Sequence, residues 1–213
     1  DRKDRSIFPA FPLLKAPNQS CPSPRMSYNK AFAWIVETLI HEDERVVYFG
    51  EDVANAEGGV LALTKGVFPA VGPALIFNTP ISEEAIVATA AGRALAGGKP
   101  KCEFQFGAFW WDSARIFAHA LAPQWYSKKL AFGMTAVFPC GVVHDGGSGH
   151  FHEDWVERFL VPMRGIVVVA RATAYEVVAF MRAAHEYGGA VAVLLQTSAA
   201  SLFFCWAEVP EEP

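Results

Sequence analysis

The sequence has few charged side chains and no long apolar segment. Asp, Glu, Lys and Arg make up 19% of its 213 residues, while hydrophobic residues make up 52%. An ordinary globular domain carries roughly 25% charged residues. The longest apolar runs, residues 165–170 and 190–195, are far shorter than the roughly 20 residues that a membrane-spanning helix requires. We therefore expect no membrane span, and we expect another protein chain to cover part of the apolar surface.

The sequence also has no excess of basic over acidic residues. The 18 Lys and Arg residues are outnumbered by 22 Asp and Glu residues, which gives a formal net charge of −4. This balance argues against nucleic acid and anionic membranes as partners. The N-terminus is charged and no apolar segment follows it, so we expect no secretory signal.

Paired cysteines and common enzyme motifs are absent. Cys21, Cys102, Cys140 and Cys205 lie far apart and form no C-x-x-C pair. This isolation predicts reduced thiols in a cytoplasmic protein and no zinc framework among the cysteines. No G-x-G-x-x-G, P-loop, G-x-S-x-G or H-E-x-x-H motif occurs either, so common motifs do not identify the chemistry.

Helical periodicity alternates with short apolar strands. Apolar residues recur with helical spacing over 28–41, where Ser27 is placed as the N-cap, and residues 82–96 form an Ala-rich run that ends at a Gly-Gly pair. We also predict helices over 112–121, ending near Pro123, and over 174–187. Strands are predicted over 45–49, 75–77, 101–106, 134–143, 165–170 and 191–196. Because the strands are apolar on both faces, the pattern predicts a three-layer α/β fold with a mostly parallel sheet flanked by helices.

The composition also suggests a division of the chain. Prolines are concentrated at residues 1–25, which we interpret as an extended arm or linker. One domain then follows over 26–197, because the length suits a single α/β domain. Residues 198–213 are assigned to a C-terminal tail.

Two segments concentrate side chains that could carry chemistry. The turn Phe-Asn-Thr-Pro-Ile-Ser-Glu at 77–83 places Glu83 at the start of an Ala-rich helix. A helix start favours Glu through the macrodipole alone, so this spacing leaves its role open. The second segment, residues 144–154, holds His150, His152 and several carboxylates among glycines. Such glycine-rich spacing is weak evidence for metal ligation, and we expect no metal site in it.

A set of motifs occurs in a characteristic order: Gly-Glu-Asp-Val at 50–53, Thr-Lys-Gly at 64–66, Gly-Pro at 72–73, Thr-Pro-Ile-Ser-Glu at 79–83, Ala-Gly-Gly-Lys-Pro at 96–100 and Glu-Phe at 103–104. In order and spacing these motifs resemble the β subunit of thiamine-diphosphate-dependent 2-oxoacid dehydrogenases, the E1 component. The pyrimidine-binding domain of that family is shared with transketolase.

The resemblance implies a set of cofactor-binding residues. Glu83 matches the glutamate that hydrogen-bonds N1′ of the cofactor's aminopyrimidine and so helps its amino group to take the proton from thiazolium C2. This role needs a raised pKa, and we expect desolvation to outweigh the helix N-terminus. Phe109 matches the ring that stacks on the aminopyrimidine, and Gln105 and Ile81 match positions that line the pocket. Glu51 matches a second acidic residue near the cofactor, although a solvated loop acid is an equal alternative.

The resemblance also implies a histidine that faces the reacting carbon and handles protons or the substrate carboxylate. Counting back from the strand at 166–169 favours His152, with His150 as the alternative.

Half of the cofactor site is absent from the sequence. The family's diphosphate and Mg²⁺ motif, G-D-G followed by N, does not occur. A diphosphate-binding α-type subunit would supply that half in an α2β2-like hetero-oligomer.

The implied activity is decarboxylation of a 2-oxo acid and transfer of the acyl unit to a lipoyl domain or acyl carrier protein. Transketolase-type two-carbon transfer from a ketose phosphate and a catalytically silent structural subunit are the alternatives. We expect the partner to cover the helix behind Glu83 and the aromatic residues between 104 and 111.

Overall fold

The chain folds into a six-stranded parallel sheet between two layers of helices. The computed structural model describes residues 25–127, 133–141, 152, 155–171, 173–196 and 207–208. The helices are α1 (Tyr28–Glu42), α2 (Val67–Val71), α3 (Glu83–Leu95), α4 (Trp110–Ser127), α5 (Glu157–Leu160) and α6 (Ala174–Tyr187). The strands are β1 (Arg25–Met26), β2 (Val46–Gly50), β3 (Ile76–Asn78), β4 (Lys99–Glu103), β5 (Thr135–Cys140), β6 (Ile166–Arg171), β7 (Ala190–Gln196) and β8 (Ala207–Glu208).

The order of strands in the sheet is β3-β2-β4-β5-β7-β6, and every neighbouring pair is parallel. The predicted three-layer α/β fold is therefore confirmed. A separate two-stranded antiparallel ribbon pairs Arg25 with Glu208 and Met26 with Ala207. This ribbon brings residues near the two ends of the chain together.

Two apolar cores lie on opposite faces of the sheet. On one face α1 and α6 bury side chains such as Phe32, Ile35 and Met181 against Tyr48. On the other face α3 and α4 bury another set, which includes Ile86, Val87, Ala90 and Phe117. Each face of the sheet is thus covered by helices, as expected for a parallel sheet.

The local signals for α1 are confirmed. The Ser27 hydroxyl accepts a hydrogen bond from the backbone N–H of Lys30 at 3.4 Å, so Ser27 is the N-cap. The helix then buries an apolar stripe that follows the predicted spacing. Among the helices that the structure describes, none combines the length and apolarity needed to cross a lipid bilayer.

Two expectations are wrong. Helix α4 does not end near Pro123 but continues to Ser127, since a proline inside a helix removes one backbone donor without necessarily ending it. The aromatic residues between 104 and 111 are also largely the chain's own core, because Phe104, Phe106 and Trp110 are buried within it. Phe109 is half-buried, and Trp111 is 51% exposed.

Candidate functional site

The candidate residues gather where three neighbouring strands end. Strand β2 lies between β3 and β4. After β2 the chain continues to β3 on one side, whereas after β4 it continues to β5 on the other side. Such a reversal opens a crevice at the carboxyl ends of the strands, which is where open α/β sheets bind ligands. Glu51 follows β2, Glu83 lies five residues after β3, and Gln105 follows β4.

Glu83 is the first residue of α3 and is half-buried. The Ser82 hydroxyl caps this helix by accepting from the backbone N–H of Ala85 at 3.4 Å. The backbone N–H of Thr79 donates to the Gly50 carbonyl at 2.9 Å and ties the preceding turn to the end of β2. Within the described part of the chain, the Glu83 carboxylate forms no hydrogen bond, so it is available to a ligand. Ile81, also in this turn, is 85% exposed.

Glu51 is buried beside Glu83, with only 5% of the residue exposed. The interpretation of Glu51 as a solvated loop acid is therefore wrong. Burial raises the pKa of the Glu51 carboxyl, and the nearby charges of Glu83 and Asp52 raise it further, while the backbone of Ser82 opposes the shift. Oε1 of Glu51 has no hydrogen-bond partner among the described residues. Two carboxyl groups that are far apart in sequence thus lie close enough in the crevice for their charges to interact.

Gln105 is held by Asp52, a residue that the sequence reasoning did not select. Gln105 Nε2 donates to Asp52 Oδ2 at 2.8 Å. Asp52 adopts a left-handed backbone with φ of 59°, a conformation that Asp and Asn tolerate better than most residues. An Asp directly after a strand end was the available sequence signal for such a turn.

Phe109 and His152 are brought together by the fold. The imidazole centroid of His152 lies 5.3 Å from the ring centroid of Phe109 and 4.9 Å from that of Phe106. Phe109 is half-buried, at the end of a 3-10 turn formed by Gly107–Phe109. Residue 150, the alternative histidine, lies outside the described residues.

A buried acid on β4 was also missed. Glu103 is 4% exposed, accepts a hydrogen bond from the Tyr48 hydroxyl and follows the apolar Cys102. Burial raises the pKa of the Glu103 carboxyl to about 7, against the opposing hydrogen bond from Tyr48. The sequence signal was a carboxylate in an otherwise apolar segment, where a charge is costly unless it is paired or neutralised.

Comparison with known families defines the class of protein. The family model described as "Transketolase, pyrimidine binding domain" matches residues 24–201. The chain therefore belongs to the transketolase pyrimidine-binding domain family.

Individual relatives fall within one group of enzymes. The chain is 33% identical over 153 residues to the pyruvate dehydrogenase E1 component subunit beta of Acholeplasma laidlawii, which covers 70% of this chain and 45% of that protein. It is 31% identical over 162 residues to the mitochondrial 2-oxoisovalerate dehydrogenase subunit beta of Chaetomium thermophilum, covering 74% of this chain and 34% of that protein. The chain thus spans less than half the length of these relatives.

A solved structure shares the fold. A chain described as "Split gene transketolase, inactive beta4 tetramer" superimposes with a TM-score of 0.54 at 20% identity, over 81% of this chain and 52% of that one. At this identity the likeness supports the α/β architecture of the pyrimidine-binding domain.

Proposed function

We propose that the chain is a β-type, pyrimidine-domain subunit of a thiamine-diphosphate-dependent enzyme that decarboxylates a 2-oxo acid. The observation that carries this proposal is the pair of carboxyl groups, Glu51 and Glu83, in the crevice at the ends of β2, β3 and β4. Paired acids whose environments differ are typical of proton-transfer sites. Glu51 is buried while Glu83 is half-buried at a helix start, so the two carboxyls are placed for different tasks.

The described residues fit an aminopyrimidine ring. Such a ring presents hydrogen-bond donors and acceptors at its edge and a flat aromatic face. The unpartnered Oε1 of Glu51 and the unpartnered hydroxyl of Thr79 are buried polar groups in this part of the fold, and unpaired buried groups call for a partner. Glu83 would hold the edge of the ring, Phe109 would stack on its face, and Gln105 and Ile81 would line the pocket.

Thiamine diphosphate supplies a nucleophilic carbon for attack on the keto group of a 2-oxo acid. The task of Glu83 would be to hold a proton at the pyrimidine edge, for which a neutral carboxyl is required at the operating pH. His152, packed against Phe109, would meet the substrate carboxylate or transfer a proton at the reacting carbon.

A second chain would complete the site. We infer a diphosphate-binding α-type subunit that contributes the diphosphate and Mg²⁺ contacts, in an α2β2-like assembly. The support comes from the relatives named as subunit beta of larger dehydrogenases. The same names favour a 2-oxo acid as substrate over a ketose phosphate, and a lipoyl domain or carrier protein would accept the acyl unit.

Exchange of the cofactor's C2 proton for deuterium tests the proposal without choosing a substrate. In the complex with its α-type partner, we expect Glu83→Gln to slow this exchange by about 100-fold or more, because an amide cannot hold the proton. Glu84→Gln is the matched control: Glu84 is the next residue of α3, is exposed and faces Arg115 at 3.6 Å. It should keep the wild-type rate. If Glu83→Gln exchanges as fast as wild type, the proposed mechanism is wrong.

Turnover of three substrates then identifies the reaction. Pyruvate, 3-methyl-2-oxobutanoate and fructose 6-phosphate are compared in the same complex, and we expect consumption of a 2-oxo acid. His152→Asn should slow that consumption while leaving C2 exchange unchanged. If His150→Asn has this effect instead, the assignment of His152 fails.

A further inference from the structure

A chain of hydrogen bonds crosses the three strand ends that form the crevice. We call it the polar clamp, and it consists of Asp52, Asn55, Asn78 and Gln105. Gln105 Nε2 and Asn55 Nδ2 donate to the two carboxylate oxygens of Asp52 at 2.8 and 2.9 Å. Asn78 Nδ2 donates to Asn55 Oδ1 at 2.7 Å, and Asn78 Oδ1 accepts from the backbone N–H of Ala54 at 2.7 Å. The clamp therefore links the carboxyl end of β4 to the turn after β2. It also links the carboxyl end of β3 to the loop after β2.

The clamp holds a residue that has a left-handed backbone. Asp52 has a φ of 59° directly after Glu51, in the left-handed region that side-chain-bearing residues populate sparsely. Such conformations persist when their surroundings hold them, and they are concentrated at functional sites. Both carboxylate oxygens of Asp52 are engaged, one by Gln105 and one by Asn55.

The direction of the Glu51 side chain depends on this turn. Glu51 is buried while Asp52, the next residue, is exposed. The abrupt change occurs at the end of β2, where the left-handed residue turns the chain. If Asp52 relaxed to an ordinary backbone conformation, the end of β2 would shift, and the Glu51 carboxyl would move relative to Glu83, whose charge acts on it.

We propose that Gln105 is a positioning residue, which holds Asp52 in its left-handed conformation and so keeps the Glu51 carboxyl beside Glu83. This inference rests on the proposed function and extends it, since Gln105 then acts through Asp52 and Glu51 in addition to lining the pocket. The clamp residues Asp52, Asn55 and Asn78 are exposed in the chain and Gln105 is half-buried. Their hydrogen bonds therefore contribute little to folding, which separates a positioning role from a structural one.

A swap of the hydrogen-bonding groups tests the proposal in the complex with the α-type subunit. Gln105→Leu removes the donor and Gln105→Glu places a second carboxylate against Asp52. Both should slow C2-proton exchange of bound thiamine diphosphate by about 10- to 100-fold, as expected when a reacting group is displaced by about 1 Å. The double variant Gln105→Glu with Asp52→Asn reverses donor and acceptor, and Asn tolerates the left-handed conformation. It should recover most of the wild-type rate.

Two further measurements separate positioning from binding and from folding. The slower exchange of Gln105→Leu should persist at saturating thiamine diphosphate, and the melting temperature of this variant should stay near that of wild type. The proposal is overturned if Gln105→Leu exchanges at the wild-type rate, if the double variant is not rescued, or if the loss appears in Kd alone. Failure of the wild-type complex to exchange the C2 proton would instead contradict the proposed function.

Discussion

Three side chains of the Asp, Glu, Lys and Arg types are buried in or directly after the strands among the described residues: Glu51, Lys101 and Glu103. Each lowers stability unless it is paired or made neutral. Glu103 is paired with the Tyr48 hydroxyl, whereas Lys101 Nζ has one long hydrogen bond, to Thr135 Oγ1 at 3.3 Å. Glu51 keeps an oxygen without a partner. Of the three, Glu51 lies in the crevice, and one of its carboxylate oxygens has no hydrogen-bond partner among the described residues. This is expected of a group that binds a ligand.

Lys101 makes stability depend on pH. Burial lowers the pKa of the Lys101 amine to about 7, whereas an unfolded lysine titrates near 10.4. Between these values the unfolded chain binds more protons, so the stability of the wild type rises with pH. We predict that Lys101→Met is more stable than wild type at pH 7 and that this advantage shrinks toward pH 10, by up to about 1.4 kcal/mol per pH unit.

Urea denaturation at pH 7, 8 and 9 measures this difference. Lys65→Met is the control, because Lys65 is 60% exposed at its side chain and pairs with an exposed Glu57 at 2.7 Å. An exposed pair contributes little, so the control should follow wild type across the range. A Lys101→Met advantage that is absent at pH 7, or that does not change with pH, contradicts the interpretation.

At the level of elements, β2 and β4 pack so closely at their carboxyl ends that only glycine fits. A Cβ on Gly50, the last residue of β2, would lie 2.4 Å from the Glu103 carbonyl oxygen and 3.1 Å from Val53 Cγ1. The first of these is a backbone atom that cannot move aside by changing a rotamer. The close approach is what allows the loops after β2 and β4 to meet.

Two glycine substitutions with opposite expected effects on stability test this packing. Gly50→Ala should lower the free energy of unfolding by about 1–3 kcal/mol, because the strand end must shift. Gly92→Ala is the matched control: Gly92 lies in α3, and a Cβ there meets nothing within 4 Å. It should raise stability by about 0.5–1 kcal/mol, since alanine favours the helix. Equal denaturation midpoints for Gly50→Ala and wild type would show that the strand ends are not tightly packed.

At the amino ends of β2 and β4, opposite to the site, charged side chains form an ionic cluster around Asp43. Asp43 accepts two hydrogen bonds from Arg45, at 2.7 and 2.8 Å, and its Oδ2 lies 3.6 Å from Lys99 Nζ and 3.4 Å from His185 Nε2. The hydrogen bonds from Arg45 hold the pKa of Asp43 well below its usual range. Burial lowers the pKa of His185 to about 4, so His185 is neutral at pH 7. This ionic cluster therefore lies at the ends of the strands opposite to the candidate site.

At the scale of the whole molecule, several large apolar side chains are exposed. Ile81 is 85% exposed, Val161 67% and Trp155 45%, and the outer side of α3 exposes small residues such as Ala88 and Gly92. The chain spans less than half of the curated relatives described above. That another chain covers these side chains, as the scarcity of charge in the sequence predicts, stays a prediction.

Cofactor affinity should therefore depend on a second chain. We predict that the purified chain binds thiamine diphosphate weakly or not at all, and that its complex with the α-type subunit binds it tightly in the presence of Mg²⁺, because in our proposal the partner supplies the diphosphate contacts. Isothermal titration of each form measures the difference. Tight binding by the chain without its partner would contradict the division of the site.

Local sequence pattern was enough for most helices and strands. Helix α6 follows its predicted bounds of 174–187, and α1 begins after its predicted cap, Ser27, because helical periodicity and capping are properties of neighbouring residues. The end of α4 was mispredicted, since proline weakens a helix without forbidding it. The short helix α2 was not predicted, because five residues carry too little periodicity.

The site depends on which strands are neighbours, and this is a property of the folded sheet. The motif order in the sequence identifies the family and selects Glu83. The pairing of Glu51 with Glu83, the hydrogen bond from Gln105 to Asp52 and the packing of His152 on Phe109 join residues from different strand ends and loops. The first two contacts follow from the order β3-β2-β4 and the close approach at Gly50, whereas the third joins the segments that follow the neighbouring strands β4 and β5. Sequence periodicity sets which residues form each strand, but burial of two apolar faces at once sets which strand ends converge.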